Sequence, residues 1–211
     1  MEDRSGEKLT VMIADDHPLM RSGIAAVLLL DPRFSVVAEA NDGADAVEQF
    51  KLLRPSITLM DLQMPRLDGI EATAAIRRVD PQACIIVLST YGGDVQVARA
   101  LKAGASGYLL KNLARNELCS YVAAVHAGQR QLPQQVACSL ASSFQQDSLS
   151  KRELEVLRHV ADGNSNQRVG ECLGLREDTI KAHMKTILQK LNARDRTHAV
   201  TIALRRGYWE N

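Results

Sequence analysis

The sequence predicts an α/β domain with a five-stranded, doubly wound parallel sheet, followed by a small all-α domain of four helices. Short apolar runs alternate with helical patterns between Leu9 and Ala127, and this alternation is typical of βαβ units. After residue 147 the strand patterns end and only helical periodicity remains. The chain has 211 residues, 45% hydrophobic and 24% charged, which suits two modest globular domains.

Five apolar runs are predicted to form the sheet, and helical patterns separate them. The strands are expected at residues 9–15, 34–40, 57–61, 83–89 and 107–111. The helices are expected to start near Pro18, Gly43, Gly69 and Val95, and a fifth after Asn116. Because sheets of this type bind ligands beyond the carboxyl ends of their strands, the residues that end the runs should share one edge.

Gly128 and Pro133 break the fifth helix and open a predicted linker, residues 128–147, that contains a short helix. The all-α domain then covers residues 148–211. Ser150 and Glu153 open its first helix as a capping box. The remaining helices are predicted at residues 166–173, 177–191 and 195–206.

Composition limits where the chain can act. No apolar stretch approaches the ~20 residues of a membrane helix, and the first residues are polar, so we expect a cytoplasmic protein with no membrane partner. The four cysteines are scattered and lack metal-binding spacing, which favours reduced, buried thiols. They are Cys84, Cys119, Cys138 and Cys172.

The net charge of +1 conceals two halves of opposite sign. Residues 1–147 carry 14 Lys and Arg against 17 Asp and Glu, whereas residues 148–211 carry 12 against 8. An acidic N-terminal part and a basic C-terminal part indicate a carboxylate site joined to a module that binds a polyanion. Chance segregation of surface charge remains the alternative at this level.

The ends of the predicted strands carry a set of reactive side chains. Asp15 and Asp16 follow the first run, Asp61 ends the third, Ser89 ends the fourth and Lys111 ends the fifth. Three converging carboxylates repel one another unless a cation neutralises them, and such oxygen ligands favour Mg²⁺. Asp61 is then placed as a nucleophile towards a phosphoryl donor, while the metal and Lys111 offset the charge that is transferred.

Three segments contain these strand-end residues: Ile13-Ala14-Asp15-Asp16-His17, Leu59-Met60-Asp61-Leu62-Gln63-Met64-Pro65 and Ala103-Gly104-Ala105-Ser106-Gly107-Tyr108-Leu109-Leu110-Lys111. They resemble the receiver domain of bacterial two-component response regulators, whose fold is flavodoxin-like. The resemblance covers the domain that we place at residues 8–127.

The resemblance implies a role for each site residue. Asp61 is the expected phosphoacceptor, and Asp15, Asp16, Asp61 and the Gln63 carbonyl are the expected Mg²⁺ ligands. Ser89 and Lys111 are expected to bind the phosphoryl group, and Tyr108 is expected to be an aromatic switch. An ordinary strand tyrosine is the alternative for Tyr108.

The third helix of the all-α domain is predicted to be the recognition helix of a helix-turn-helix. Lys181 and Lys185 lie on its exposed face, and the small side chain of Ala182 lets the backbone approach base edges. Thr179 and His183 are better placed for phosphates. From periodicity alone, a solvated face on an ordinary helix is an equal alternative.

The segments 149–157 and 179–191 resemble a LuxR-type DNA-binding domain, which identifies the chain as a NarL/FixJ-type response regulator. Arg176 departs from the pattern, since a serine usually caps the recognition helix there. The resemblance also implies that the last helix dimerises, through Ala199, Val200, Ala203 and Leu204.

The sequence therefore predicts a transcriptional regulator that a sensor histidine kinase phosphorylates on Asp61, and that binds promoter DNA as a homodimer. RNA polymerase is a further candidate partner, and the only catalysis expected is self-phosphorylation and self-dephosphorylation at Asp61.

One alternative function is that of an aspartyl phosphatase, which would require an acid at the position of Gln63. Another is a regulator whose first domain works without phosphorylation, against which the intact acidic set argues.

Overall fold

A computed structural model describes residues 8–90, 93–111, 115–129, 137 and 149–209. The chain forms two compact units, of which the first contains the sheet and the second the four C-terminal helices. The helix predicted within the linker, and Cys138, lie outside the described residues. Among the helices in the described ranges, none combines the length and the apolarity that crossing a membrane requires.

The first unit is built on a five-stranded parallel sheet, as predicted, and its strand order is β2-β1-β3-β4-β5. Its strands are β1 (Leu9–Ala14), β2 (Phe34–Ala40), β3 (Ile57–Asp61), β4 (Ile85–Ser89) and β5 (Gly107–Leu110). β4 begins two residues later than predicted, because the N–H of Ala83 closes a turn on the carbonyl of Asp80 at 3.2 Å. Every residue of β3 and β4 is buried, which explains their continuous apolar runs.

Five helices follow the five strands of the sheet in alternation. They are α1 (Pro18–Leu29), α2 (Gly43–Leu53), α3 (Gly69–Val79), α4 (Asp94–Ala103) and α5 (Arg115–His126). Pro18 at the first position of α1 needs no N–H partner there. Asp42 and Asp68 cap α2 and α3 by accepting hydrogen bonds from the N–H groups of Asp45 and Glu71.

Gly69 sets the start of α3 against the end of β3. Its N–H donates to the carbonyl of Leu62 at 2.9 Å, and a Cβ at this position would overlap the carbonyl oxygen of Asp61. The chain therefore turns back on Asp61 at a distance that only glycine allows. This turn fixes the backbone around the last residue of β3.

Four helices of the second unit lie within the described ranges, and they form a helix-turn-helix domain. They are α6 (Lys151–Ala161), α7 (Asn166–Leu173), α8 (Glu177–Lys190) and α9 (Arg196–Arg206). The predicted capping box is present: the N–H of Ser150 donates to Glu153 Oε2 at 2.6 Å, and the N–H of Glu153 donates to Ser150 Oγ at 3.3 Å. Lys190 Nζ also lies 2.9 Å from Glu153 Oε2, so this carboxylate ties the end of α8 to the start of α6.

The prediction of free thiols is confirmed for Cys84, Cys119 and Cys172, but the prediction that they are buried is wrong for Cys172. Cys119 is buried and Cys84 is half-buried, whereas Cys172 is exposed. The buried residues of α7 are Val169 and Gly170, and Cys172 lies on another face of the helix.

Arg176 begins α8 without a capping side chain, as its departure from the usual serine indicated. Its backbone is extended (φ −74°, ψ 148°), but its side chain accepts no hydrogen bond.

We expect the variant Arg176→Ser to be more stable than Arg176→Ala by about 1 kcal/mol, because serine supplies the missing acceptor. Since Trp209 is the only tryptophan, its fluorescence can follow unfolding of this domain in the full chain. Equal stability of the two variants would show that capping plays no part.

Candidate functional site

The carboxyl edge of the sheet brings together the side chains that end its strands. Asp61 and Ser89 are the last residues of β3 and β4, and Asp15 and Lys111 directly follow β1 and β5. Because β3 lies between β1 and β4, Asp61 is at the centre of this edge. Asp15, Asp61 and Ser89 are all buried.

Lys111 bridges the two buried carboxylates. Its Nζ lies 2.8 Å from Asp15 Oδ2 and 2.8 Å from Asp61 Oδ1, and its side chain is only 9% exposed. Burial by itself lowers the pKa of Lys111, but the hydrogen bonds and charges of Asp15 and Asp61 outweigh it and raise that pKa above its usual value. The lysine is therefore a fixed positive charge beside Asp61.

Burial raises the pKa of the Asp61 carboxyl from its usual 3.8 to about 6. The hydrogen bond and charge of Lys111 act against this rise, and the negative charge of Asp15 adds to it. At neutral pH Asp61 is thus mainly ionised, but it is more basic than an exposed aspartate. A more basic carboxylate is a better nucleophile at the same degree of ionisation.

The acidic cluster has the ligand set of a cation site. Asp15, Asp16, His17 and Asp61 each offer one ligand atom, and these atoms lie within 4.8 Å of one another. Oδ2 of Asp61 is buried and has no hydrogen-bond partner among the described residues. An unpartnered buried carboxylate oxygen beside other carboxylates fits a hard divalent cation such as Mg²⁺.

The other residues predicted for this site lie close to it in the chain or the sheet. Gln63 is exposed, two residues after Asp61. Ser89 is 3% exposed, and its carbonyl accepts from the N–H of Lys111 at 2.7 Å. Tyr108 is fully buried, and its backbone is held by Tyr121, whose hydroxyl accepts from the N–H and donates to the carbonyl.

Three contacts around the site were not predicted from the sequence. His17 lies in the acidic cluster, where its Nδ1 is 2.7 Å from Asp16 Oδ1. Arg21 Nη1 donates to the Asp15 carbonyl at 2.6 Å. Arg66, in the left-handed conformation (φ 66°), forms an ion pair with Asp42 at the start of α2. His17 and Arg21 follow the acids closely enough to be considered from sequence, but nothing links Arg66 to Asp42.

The raised pKa of Asp61 makes the stability of the first unit depend on pH. The folded state binds this proton more tightly than the unfolded state, so the favourable contribution is complete below about pH 4 and is lost as the pH rises through about 6. A shift of this size corresponds to at most ~3 kcal/mol. Asp61→Asn should therefore lose this pH dependence and be more stable than the wild type at neutral pH.

Hydrogen exchange of amides in β1 and β3, measured on the full chain between pH 4 and pH 8 and corrected for intrinsic rates, would follow this effect. Glu48→Gln is the matched control, since Glu48 is an exposed acid on α2. We expect Glu48→Gln to keep the wild-type pH dependence. If Asp61→Asn kept it as well, burial of Asp61 would not be its source.

The exposed face of α8 carries the residues predicted to contact DNA. Thr179, Lys181, Ala182 and Lys185 are exposed, and His183 is half-buried. The opposite face packs Ile180, Met184 and Ile187 into the core of the unit. α8 is thus a firmly packed helix with an open, basic outer face.

Lys181 is paired within its own helix. Its Nζ lies 3.1 Å from Glu177 Oε1 and 3.2 Å from Asp178 Oδ1, and these neighbours raise the pKa of Lys181, Glu177 most strongly. All three side chains are at least about half exposed, so the pairs are weak and can open.

The expectation that four residues of α9 form a dimer contact is wrong for two of them. Ala199 and Ala203 are fully buried in the core of the second unit, where they pack with residues of the other helices. Val200 and Leu204 are half-buried. Only these two of the four retain side-chain surface for a partner.

Comparison with known proteins assigns both units. Residues 11–123 match the model of the response regulator receiver domain, and residues 147–203 match that of the bacterial regulatory proteins of the luxR family. The chain belongs to the two-component response regulators of the NarL type, which combine a receiver with a LuxR-type helix-turn-helix domain.

Full-length relatives share this arrangement. The transcriptional regulatory protein DegU of Brevibacillus brevis is 35% identical, over 98% of this chain and 98% of its own length. The nitrate/nitrite response regulator protein NarP of Escherichia coli (strain K12) is 37% identical, over 92% and 94%. A solved structure of two RcsB dimers bound to two parallel DNAs matches with a TM-score of 0.70 at 28% identity, over 94% of this chain and 99% of that one.

Proposed function

We propose that the chain is a transcriptional regulator that takes a phosphoryl group from a sensor histidine kinase on Asp61, and then binds promoter DNA as a dimer through α8. The observation that carries this proposal is the position of Asp61. It is a buried carboxylate with one oxygen 2.8 Å from Lys111 Nζ and the other without a hydrogen-bond partner among the described residues.

Asp61 acts as the nucleophile of the transfer. One of its oxygens forms a bond to phosphorus as the bond between phosphorus and the histidine nitrogen of the kinase breaks, and the released imidazole then takes up a proton. Lys111 stabilises the charge of the transferred group, and the Ser89 hydroxyl donates to one of its oxygens. Mg²⁺, held by Asp15, Asp16, Asp61 and the carbonyl of Gln63, supplies further neutralisation of charge when it is bound.

Tyr108 and Ser89 connect the phosphoryl group to the rest of the receiver. Ser89 ends β4, and Tyr108 is the second residue of the neighbouring strand β5, where it pairs with Val87. When Ser89 moves towards the phosphoryl group, the ring of Tyr108 repacks, and the surface for dimerisation changes. Tyr108 is fully buried, so a change in the position of its ring would have to move the residues packed around it.

DNA binding is assigned to the outer face of α8. Lys181, Lys185 and Ala182 face base edges in the major groove, and Thr179 and His183 contact phosphates. A dimer would read two half-sites about one helical turn apart. The solved structure of two RcsB dimers bound to two parallel DNAs supports DNA binding as a dimer. We place the regulator in the cytoplasm with its promoter, where RNA polymerase is a candidate further partner.

The test separates phosphorylation from DNA binding. The full chain and Asp61→Asn are incubated with phosphoramidate and Mg²⁺, and the phosphoprotein is resolved by phosphate-affinity electrophoresis. DNA is then selected from a random library by the full chain with and without beryllofluoride, which mimics the phosphoryl group. We expect phosphorylation of the wild type only, and enrichment of paired half-sites that beryllofluoride strengthens.

Substitution of the exposed lysines of α8 tests whether this helix binds DNA. Lys181→Ala and Lys185→Ala should each weaken binding to the selected site, whereas Lys51→Ala, an exposed lysine of α2, should not. Phosphorylation of Asp61→Asn to the wild-type extent would refute the proposed phosphoacceptor. Unchanged DNA binding by both α8 variants would refute the proposed interface.

A further inference from the structure

His17 differs from two other helix N-cap residues of this unit in the position of its side chain. It is the N-cap residue of α1, with extended backbone (φ −88°, ψ 109°), but its side chain makes no capping hydrogen bond. Asp42 and Asp68, the N-cap residues of α2 and α3, both use their side chains to cap. The imidazole of His17 lies among the carboxylates instead.

The backbone and the neighbouring acids hold this ring in the cluster. The N–H of His17 donates to Asp15 Oδ1 at 2.9 Å, which folds the chain back over the acid. Nδ1 of His17 lies 2.7 Å from Asp16 Oδ1 and 3.6 Å from Asp15 Oδ1. The side chain is 71% exposed, so an ion can reach the ring from solvent.

The spacing of the ligand atoms suits a shared ion. Those of His17, Asp15, Asp16 and Asp61 lie within 4.8 Å of one another. An ion that binds its ligands at about 2.1 Å spans about 4.2 Å between opposite ligands, so small side-chain movements bring all four into reach. The buried, unpartnered Oδ2 of Asp61 is an independent sign that the cluster accepts a ligand.

Nitrogen ligation changes which ions a carboxylate site prefers. Mg²⁺ selects oxygen ligands and gains little from an imidazole, whereas Co²⁺, Ni²⁺ and Zn²⁺ bind imidazole well. We propose that His17 gives the acidic site a second binding mode, in which its imidazole and the carboxylates of Asp16 and Asp61 hold a first-row transition-metal ion. This inference rests on the proposed metal site.

The second mode bears on phosphoryl transfer. Mg²⁺ usually keeps several waters, and these positions are open to phosphoryl oxygens. An octahedral ion that also binds His17 has one open position fewer than Mg²⁺ at the same site, and a tetrahedral ion such as Zn²⁺, held by the three proposed side chains, would keep a single open position. A transition metal in this mode therefore leaves fewer positions for the oxygens of the phosphoryl group than Mg²⁺ does, and His17 makes the site selective in function as well as in affinity.

The experiment compares Co²⁺ and Mg²⁺ binding to the full chain without an affinity tag. Co²⁺ is followed by its visible absorption, which reports nitrogen ligation, and Mg²⁺ by its displacement of Co²⁺. We expect His17→Gln to lower the preference for Co²⁺ over Mg²⁺ at least about tenfold and to shift the Co²⁺ spectrum towards an all-oxygen site. His126→Gln, an exposed histidine of α5, is the matched control and should keep both.

Two outcomes overturn the inference. They differ in whether only His17 or the whole proposed metal site fails. If His17→Gln keeps the wild-type preference and spectrum, His17 is not a ligand, although Mg²⁺ binding at the acidic cluster still stands. If the wild type binds neither ion, and Asp61→Asn behaves identically, the proposed metal site itself fails. Because His17 is largely exposed, the variant should fold, and hydrogen exchange of β1 verifies this.

Discussion

Gly69→Ala is expected to destabilise the receiver by about 3 kcal/mol or more, because the added methyl group has no space. A Cβ at residue 69 would overlap the carbonyl oxygen of Asp61, and the atoms next nearest to it are also backbone, so no flexible side chain can move away. The strain falls on the backbone of the phosphoacceptor itself. We therefore expect phosphorylation by phosphoramidate to be lost together with protection of the β3 amides from hydrogen exchange.

Gly23→Ala is the matched control for this effect. Gly23 lies inside α1, and a Cβ there would meet no atom within 4 Å. Alanine is the better helix former, so this substitution should stabilise the receiver by about 0.5–1 kcal/mol. If Gly69→Ala kept wild-type protection of β3, the close approach of α3 to Asp61 would not constrain the site.

Lys111→Met is expected to have the second large effect, on both stability and chemistry. Methionine keeps most of the side-chain volume but leaves Asp15 and Asp61 facing each other without their shared cation. Removing one partner from a buried ion pair costs about 3–5 kcal/mol. The loss also raises the pKa of Asp61 further, since the hydrogen bond and charge of Lys111 are what lower it.

Phosphorylation should fall by about 10²-fold or more in Lys111→Met, because a fixed donor to the transferred group is gone. Hydrogen exchange of β1 and β3 and phosphate-affinity electrophoresis measure the two effects on the same full chain. Lys51→Met controls for the loss of an exposed lysine and should change neither. A further substitution, Asp15→Asn in the Lys111→Met background, should restore stability but not phosphorylation, which separates the electrostatic cost from the chemical role.

Much of the fold was predictable because local patterns agree with the tertiary structure. β3 and β4 are buried on both faces, so their sequences are continuous apolar runs that end at Asp61 and Ser89. The capping box of Ser150 and Glu153 is a local signal that needs no knowledge of the rest of the chain. Because parallel strands end at the same edge of a sheet, the acids at their ends were sufficient to predict that these side chains lie together at its carboxyl edge.

Other features depend on contacts that no local pattern records. The pairing of Arg66 with Asp42 joins residues from different loops, and the need for glycine at residue 69 arises from the return of the chain to Asp61. Burial of Ala199 and Ala203 depends on how α9 packs on α6 and α8, which helical periodicity alone does not decide. The exposure of Cys172 likewise follows from which face of α7 is packed.

Because Lys181 is paired with Glu177 and Asp178, binding at the proposed DNA interface would exchange these ion pairs for contacts with DNA. Binding at Lys181 replaces two carboxylate partners by a base edge or a phosphate, so the net gain is the difference between two sets of contacts. Fewer counterions are released than a count of lysines would suggest, and random DNA gains least from the exchange. The acids at the start of α8 thus reduce the attraction of this helix to any duplex. Binding is then favoured at those DNA sites whose contacts with Lys181 are stronger than the ion pairs that binding breaks.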